Sequence, residues 1–334
     1  MMKATVDEKR ILADKLTNPL RLHPIKYNFP LDYYAMGCAN TWFPKEIPMA
    51  EDIEDWNTKL TPDEKQAIKY MLGFFCTAES LVGNNLVLGL YGHITNPEAR
   101  IYLLRQAYEE ANHTVTFEYV IKSLNLDHEE LFTMHESIPE IKAKQDFETR
   151  LTEEIAGRWD TSTVTGKQAL IRNCVGFFVI MEGIFFYSGF MMGLSFERRK
   201  LLKGLGTLVR YVLKDESIHL AFGIDLIHTI MNENREVMTP EFQQEIISMI
   251  KEAVAIESAY GQAALPRGIL GLNIKLYDQY CQYIADRRLM KLGLAKQYNV
   301  HNPCKWMTTQ ADMPELINFF EAKPIDYEQQ VTRA

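Results

Sequence analysis

Two Glu-x-x-His pairs stand in the chain, Glu110-Ala111-Asn112-His113 and Glu216-Ser217-Ile218-His219. On a helix, residues i and i+3 share a face, so each pair offers a carboxylate and an imidazole to one partner. One such pair means little: with 8 histidines and 29 glutamates in 334 residues, about 0.7 arise by chance. The context carries more. Each pair lies in a long apolar stretch, and each is preceded by another apolar stretch holding one glutamate, Glu79 in FFCTAESLVGNN and Glu182 in FVIMEGIFFYSGF. Glu79 precedes Glu110 by 31 residues and Glu182 precedes Glu216 by 34. The pattern reads as a duplicated helix pair, each half contributing Glu plus Glu-x-x-His. Four buried carboxylates cannot stay ionised without compensating charge. Two di- or trivalent cations supply it, and carboxylate with imidazole suits Mn and Fe, whereas zinc more often takes thiolates.

The elements that must position these groups are helical. Thr61-Pro62-Asp63-Glu64 joins an N-cap, a proline at the first helical position and a capping-box glutamate. It predicts a helix from there to about Tyr91. Asn96-Pro97-Glu98 opens a second, to about Leu124. Further helices are expected over about 167–198, 205–231, 239 to just before Pro266, and 274–292. No segment shows convincing period-2 alternation, so strands should be few. Long helices with short connections pack as a bundle, and the four-Glu, two-His set is that of di-iron and di-manganese carboxylate bundles. The expected fold is all-α, a ferritin-like helical bundle with a dinuclear site in its core. Residues 1–50, which hold Pro24, Pro30, Pro44 and Pro48, read as an arm with short helices, 51–298 as the bundle and 299–334 as an extended tail.

Composition fits this. The net charge of −8 argues against a general nucleic-acid binder. Five cysteines without a C-x-x-C pair read as reduced thiols of a cytoplasmic protein. The N-terminus has no apolar signal region. Residues 174–196 are long and apolar enough to span a bilayer, with Glu182 the one charge among them. A core helix, apolar all round, is the preferred reading, and no second span is expected.

The chain resembles the small, radical-generating subunit of class I ribonucleotide reductase. The likeness runs over about residues 25–325 and is carried by CANTWFPKEIPM, GFFCTAESLVGNN, TNPEARIYLLRQAYEEANHT, IMEGIFFYSGF, LKDESIHLAFGIDLI, LPRGILGL and YIADRRL. The resemblance implies that Glu79, Glu110 and His113 bind one metal and Glu182, Glu216 and His219 the other, with Glu110 and Glu216 bridging. It also implies a homodimer joined through its first long helices, a separate large catalytic subunit engaged by the C-terminal tail, and O2 or peroxide as activating oxidant.

One position departs from most of the family. Where a radical tyrosine stands one turn after the first histidine, this chain has Phe117. At 100° per residue Phe117 comes 340° round from Glu110, facing the metals, whereas Tyr119 comes 180° round. Phenylalanine has no hydroxyl proton to lose. The sequence therefore resembles the class Ic variety, in which a Mn/Fe pair stores the oxidising equivalent; di-iron and di-manganese remain open on the residues alone. The resemblance further implies an electron path through Trp42, Asp215 (accepting the outer N–H of His113) and Tyr327 in the tail, with Tyr211 assisting activation. No G-x-x-x-x-G-K-[ST] loop and no strand-borne G-x-G-x-x-G is present, so nucleotide binding is expected of the partner. The other readings are a ligand-binding oxidase of the same superfamily, which needs an apolar channel, and ferritin-like metal storage.

Overall fold

The computed structural model describes residues 9–13, 21–156 and 159–307. Among them there is no strand, only an isolated bridge between Ile269 and Leu272. In chain order the helices are α1 (Phe29–Ala39), α2 (Ala50–Thr58), α3 (Pro62–His93), α4 (Pro97–Ser123), α5 (His128–Phe132), α6 (Met134–Ser137), α7 (Pro139–Ala156), α8 (Val164–Glu197), α9 (Lys203–Glu233), α10 (Pro240–Ala264) and α11 (Ile274–Lys291).

The starts follow from capping chemistry. Thr61 Oγ1 accepts from the Glu64 N–H while Glu64 reaches back to the Thr61 N–H, and Asn96 and Thr239 accept from Ala99 and Phe242. α9 begins otherwise. Asp52, on α2, accepts from the Gly204 and Leu205 N–H groups at 2.9 and 2.8 Å, and Asp55 from Leu202 at 2.9 Å. The orphan donors of this helix end are met by a carboxylate about 150 residues away, next to the positive end of the helix dipole.

α3 packs along α4 and α8 along α9, and α4 against α9 and α3 against α8 close the four-helix core. α1 lies along α4, so the segment expected as an arm covers one flank of the core. α7 packs on α3, α8 and α10, and α10 on α11. Gly223 on α9 lets α8 approach: a Cβ there would fall among the ring atoms of Phe178. Among the described residues two helices, α3 and α8, are long and apolar enough to cross a membrane, one more than the sequence suggested. Both are core elements. The most apolar window of α8 is wholly buried, and that of α3 is mostly so.

Two helices are not α throughout. Asn85–Leu90 of α3 and Val175–Phe185 of α8 are wound as π-helix, and the second contains Glu182. A π segment adds a residue to the turn and rephases the faces beyond it, which is why such segments gather at functional sites. Of the tail expected over 299–334, residues 308–334, Tyr327 among them, lie outside the described residues.

Candidate metal centre

Glu79 comes from α3, Glu110 and His113 from α4, Glu182 from α8, and Glu216 and His219 from α9. All six are buried, none more than 1% exposed. They fall into two groups, Glu79 with Glu110, His113 and Glu216, and Glu182 with Glu110, Glu216 and His219; in each, the donor atoms lie within 4.8 Å of one another. Glu110 and Glu216 belong to both groups, the placement of bridging carboxylates.

The imidazoles are turned alike. His113 presents Nδ1 to the interior, 3.0 Å from Glu216, 3.6 Å from Glu79 and 3.6 Å from Glu110. His219 presents Nδ1 3.1 Å from Glu110, 3.2 Å from Glu216 and 3.9 Å from Glu182. Each Nε2 points outward to a carboxylate, Asp215 for His113 at 3.2 Å and Glu109 for His219 at 2.9 Å.

The donor set fits a pair of cations. Both oxygens of Glu79, both of Glu110, one each of Glu182 and Glu216, and Nδ1 of His113 are buried without a hydrogen-bond partner. Native interiors rarely leave such atoms orphaned, and here seven converge. Burial pushes the Glu79 and Glu182 carboxyls well above the usual glutamate range, and neighbouring carboxylates push further. Burial alone would lower both imidazoles, but the surrounding carboxylates outweigh it and raise them. Burial also opposes ionisation of Glu110, yet His219 and His113 bring it down to about 2. Without cations these shifts favour protons on Glu79, Glu182 and the two imidazoles, a charge balance that two cations would otherwise supply.

Around this core the structure places the other expected residues. Phe117 is buried and stacks face to face on Phe75, centroids 4.6 Å apart, and Phe75 stacks on Phe190. Trp42 Nε1 donates to Asp215 Oδ2 at 2.8 Å, its ring stacks 6.2 Å from that of His113, and Tyr211 lies 5.2 Å from it. Asn40 donates to the other Asp215 oxygen. Tyr119 sits apart from these groups, its hydroxyl donating to Ile47 O.

Two polar residues were not expected. Gln106, one turn before Glu110, donates to Glu182 at 2.8 Å. Nothing in its neighbourhood of sequence marks it. Glu109 did have a signal: an acid directly precedes the Glu-x-x-His pair in both halves, Glu109-Glu110 and Asp215-Glu216.

Comparison with known proteins agrees with this geometry. Residues 19–303 match the family described as "Ribonucleotide reductase, small chain". The ribonucleoside-diphosphate reductase subunit beta of Chlamydia pneumoniae is 47% identical over 98% of this chain and 95% of its own length. Among solved structures, the ribonucleotide reductase R2 subunit from Clostridium botulinum superposes with a TM-score of 0.80 at 26% identity, covering 89% of this chain and 92% of that one. An R2-like ligand-binding oxidase with an aerobically reconstituted Mn/Fe cofactor shares the fold, TM-score 0.70 at 19% identity, over 85% of this chain and 99% of that one. The architecture is the ferritin-like helical bundle of these neighbours. A match over most of the length, joined by a relative nearly half identical from end to end, shows that this chain belongs to the ribonucleotide reductase small-chain family.

Proposed function

We propose that this chain is the beta subunit of a ribonucleoside-diphosphate reductase, holding a dinuclear Mn/Fe centre and passing its oxidising equivalent to a separate catalytic subunit. The observation that carries the reading is the two-lobed cluster of buried, unpartnered donor atoms sharing Glu110 and Glu216, tied through Asp215 to Trp42. Glu79 and His113 complete one site, Glu182 and His219 the other. When bound, the two cations supply reversible electron storage that carboxylates and imidazoles lack.

The chain's own residues orient and insulate. Asp215 accepts from both the His113 Nε2–H and the Trp42 Nε1–H, which fixes the imidazole with Nδ1 inward and joins the ligand to an oxidisable ring. Phe117, in its stack with Phe75 and Phe190, keeps water and an ionisable hydroxyl away from that position. This favours storage on the cations over storage on a side chain, and the likeness to the class Ic variety, in which a Mn/Fe pair does so, supports Mn/Fe over di-iron or di-manganese. Tyr211 beside Trp42 is the candidate for electron delivery during activation by O2 or peroxide. Tyr327 is the candidate for onward relay, within a tail that docks the large subunit. Exposed apolar side chains at Val87 and Leu88 on α3 and Leu104 and Val115 on α4 support a homodimer through these helices. The reading places the protein in the cytoplasm, with no membrane or nucleic-acid partner.

The test is anomalous diffraction at the Mn and Fe edges on protein loaded with both, paired with nucleoside-diphosphate turnover in the presence of the large subunit. Two metals per chain, one of each kind, and turnover that stops when residues after Phe320 are deleted are the expected results. Fewer than two metals per chain, or full turnover without the tail, would contradict it.

A further inference from the structure

The two halves of the centre differ in what stands behind each imidazole. The outer carboxylates are exchanged between the helices: Asp215 of α9 serves His113 of α4, and Glu109 of α4 serves His219 of α9. Asp215 is otherwise met by neutral donors, the Trp42 indole and the Asn40 amide. Glu109 is met by a cation. Its Oε1 lies 2.9 Å from Arg105 Nε, and the Arg105 guanidinium also donates to Gly37 O at 2.9 Å. The Glu109 side chain is 2% exposed and that of Arg105 12%, so the pair is part-buried and only partly screened by water. The pair sits in a fitted recess: a Cβ on Gly37 would come 2.8 Å from Glu109 Oε1 and 3.1 Å from Arg105 Nε.

A carboxylate accepting the outer N–H of a ligating imidazole fixes its tautomer and raises its donor strength. The gain depends on how much negative charge the carboxylate has left to offer. A guanidinium bonded to the same group takes part of it; neutral donors take less. We propose that Glu109 is the positioning residue of the His219 site, and that its pairing with Arg105 makes the two metal sites unequal, His113 being the stronger donor. This rests on the dinuclear reading above and adds a cause for discrimination between two otherwise matched sites. Gln106 adds to the asymmetry by occupying one oxygen of Glu182, while its counterpart Glu79 keeps both free.

The experiment titrates the metal-free full chain with Mn2+, following the free-ion electron paramagnetic resonance signal, and assigns each site by anomalous diffraction at partial loading. The native chain should bind two ions, the His113 site filling first. Glu109→Gln should weaken the His219 site by about 10- to 100-fold and leave the His113 site within a factor of two or so. Asp215→Asn should show the reverse. Glu109→Gln also leaves Arg105 without its carboxylate, so the metal-free melting midpoint should fall; a purely structural loss would weaken both sites alike and would not spare the His113 site. Gly37→Ala, which crowds the pair but deletes no polar group, should weaken the same site by a smaller factor, and it decides the matter if Glu109→Gln fails to fold. Unchanged affinity in both variants, or equal weakening at both sites, overturns the proposal and leaves the dinuclear reading standing. Fewer than two ions in the native chain overturns both.

Discussion

Two of the buried clusters of charge in this protein are solved in opposite ways. In one, Lys144 of α7 lies 2.9 Å from Glu257 of α10, with Glu148 one turn further along α7. The ammonium stands over Phe74, Tyr260 and Phe185 at 3.4, 4.1 and 4.9 Å from their ring centroids, a cation–π enclosure. Ser188 donates to Glu257 at 2.5 Å, and Tyr277 donates to the same oxygen. This cluster carries its own cation, and burial raises the Glu148 carboxyl to about 8, Lys144 opposing and Glu257 adding, which favours its neutral form. In the other cluster the ion pairs of Glu79, Glu110, Glu182 and Glu216 are made with two histidines alone. The difference teaches how to tell a metal site from a structural ion pair. Buried carboxylate matched by lysine is complete in the chain, whereas buried carboxylate in excess is completed from outside.

The comparison breaks most decisively at a shared ligand. Glu110→Ala should abolish stable dinuclear binding, taking metal content from two per chain to below one by elemental analysis, with the helix content unchanged by circular dichroism. Full occupancy in that variant would end the ligand assignment. The matching experiment on the self-sufficient cluster is Lys144→Met. It leaves Glu257 buried without its cation and should cost about 3–5 kcal/mol in denaturant unfolding, while metal per folded chain stays at two. Adding Glu257→Gln should recover most of that loss. If the double variant stays as unstable as the single one, the pair is not the unit described here.

Proton linkage sharpens the contrast. In the metal-free chain Glu79 and Glu182 are raised above 4.5 and His113 and His219 above 6.5, so the fold holds protons that the unfolded chain releases. Stability from these groups is present at low pH and is lost as pH rises through the folded values. Glu110, brought down to about 2, contributes a constant amount above 4.5 and does not alter the sign. The melting midpoint of chelated protein should therefore fall by several degrees from about pH 6 to pH 8, and that of loaded protein should not. Parallel curves would show that the cations do not replace these protons.

How much of this was legible in the sequence follows from the same physics. The six inward donors were legible because their spacing is local and their surroundings apolar, and the caps at Thr61, Asn96 and Thr239 fixed three helix starts. α7 was not expected. Its buried stripe is Ile141, Lys144, Phe147, Glu148 and Leu151, and two charged residues in the inward positions erase the apolar period. The π segments have no residue signature, because they depend on backbone register across neighbouring helices. Asp52 capping α9 and Glu109 behind His219 are contacts made across more than 100 residues, invisible to any local pattern, although the repeated acid before each Glu-x-x-His pair pointed to the second.

The finest test lies within the Lys144 cluster and asks whether Glu148 is a third charge or a neutral hydrogen-bonding group. With its folded value near 8 against an ordinary 4.5, Glu148 keeps its proton in the native chain across that window and gives it up on unfolding. It therefore subtracts stability as pH rises from about 4.5, by at most about 1.4 kcal/mol per unit, and the loss levels off above 8. Glu148→Gln has no proton to lose. It should match the native chain near pH 5 and exceed it by several degrees in melting midpoint at pH 8, with metal content untouched. A variant less stable than the native chain at pH 8 would mean that Glu148 is ionised and shares Lys144 with Glu257. The cluster would then carry one carboxylate in excess, and the distinction drawn between the two buried sites would shrink to one of degree.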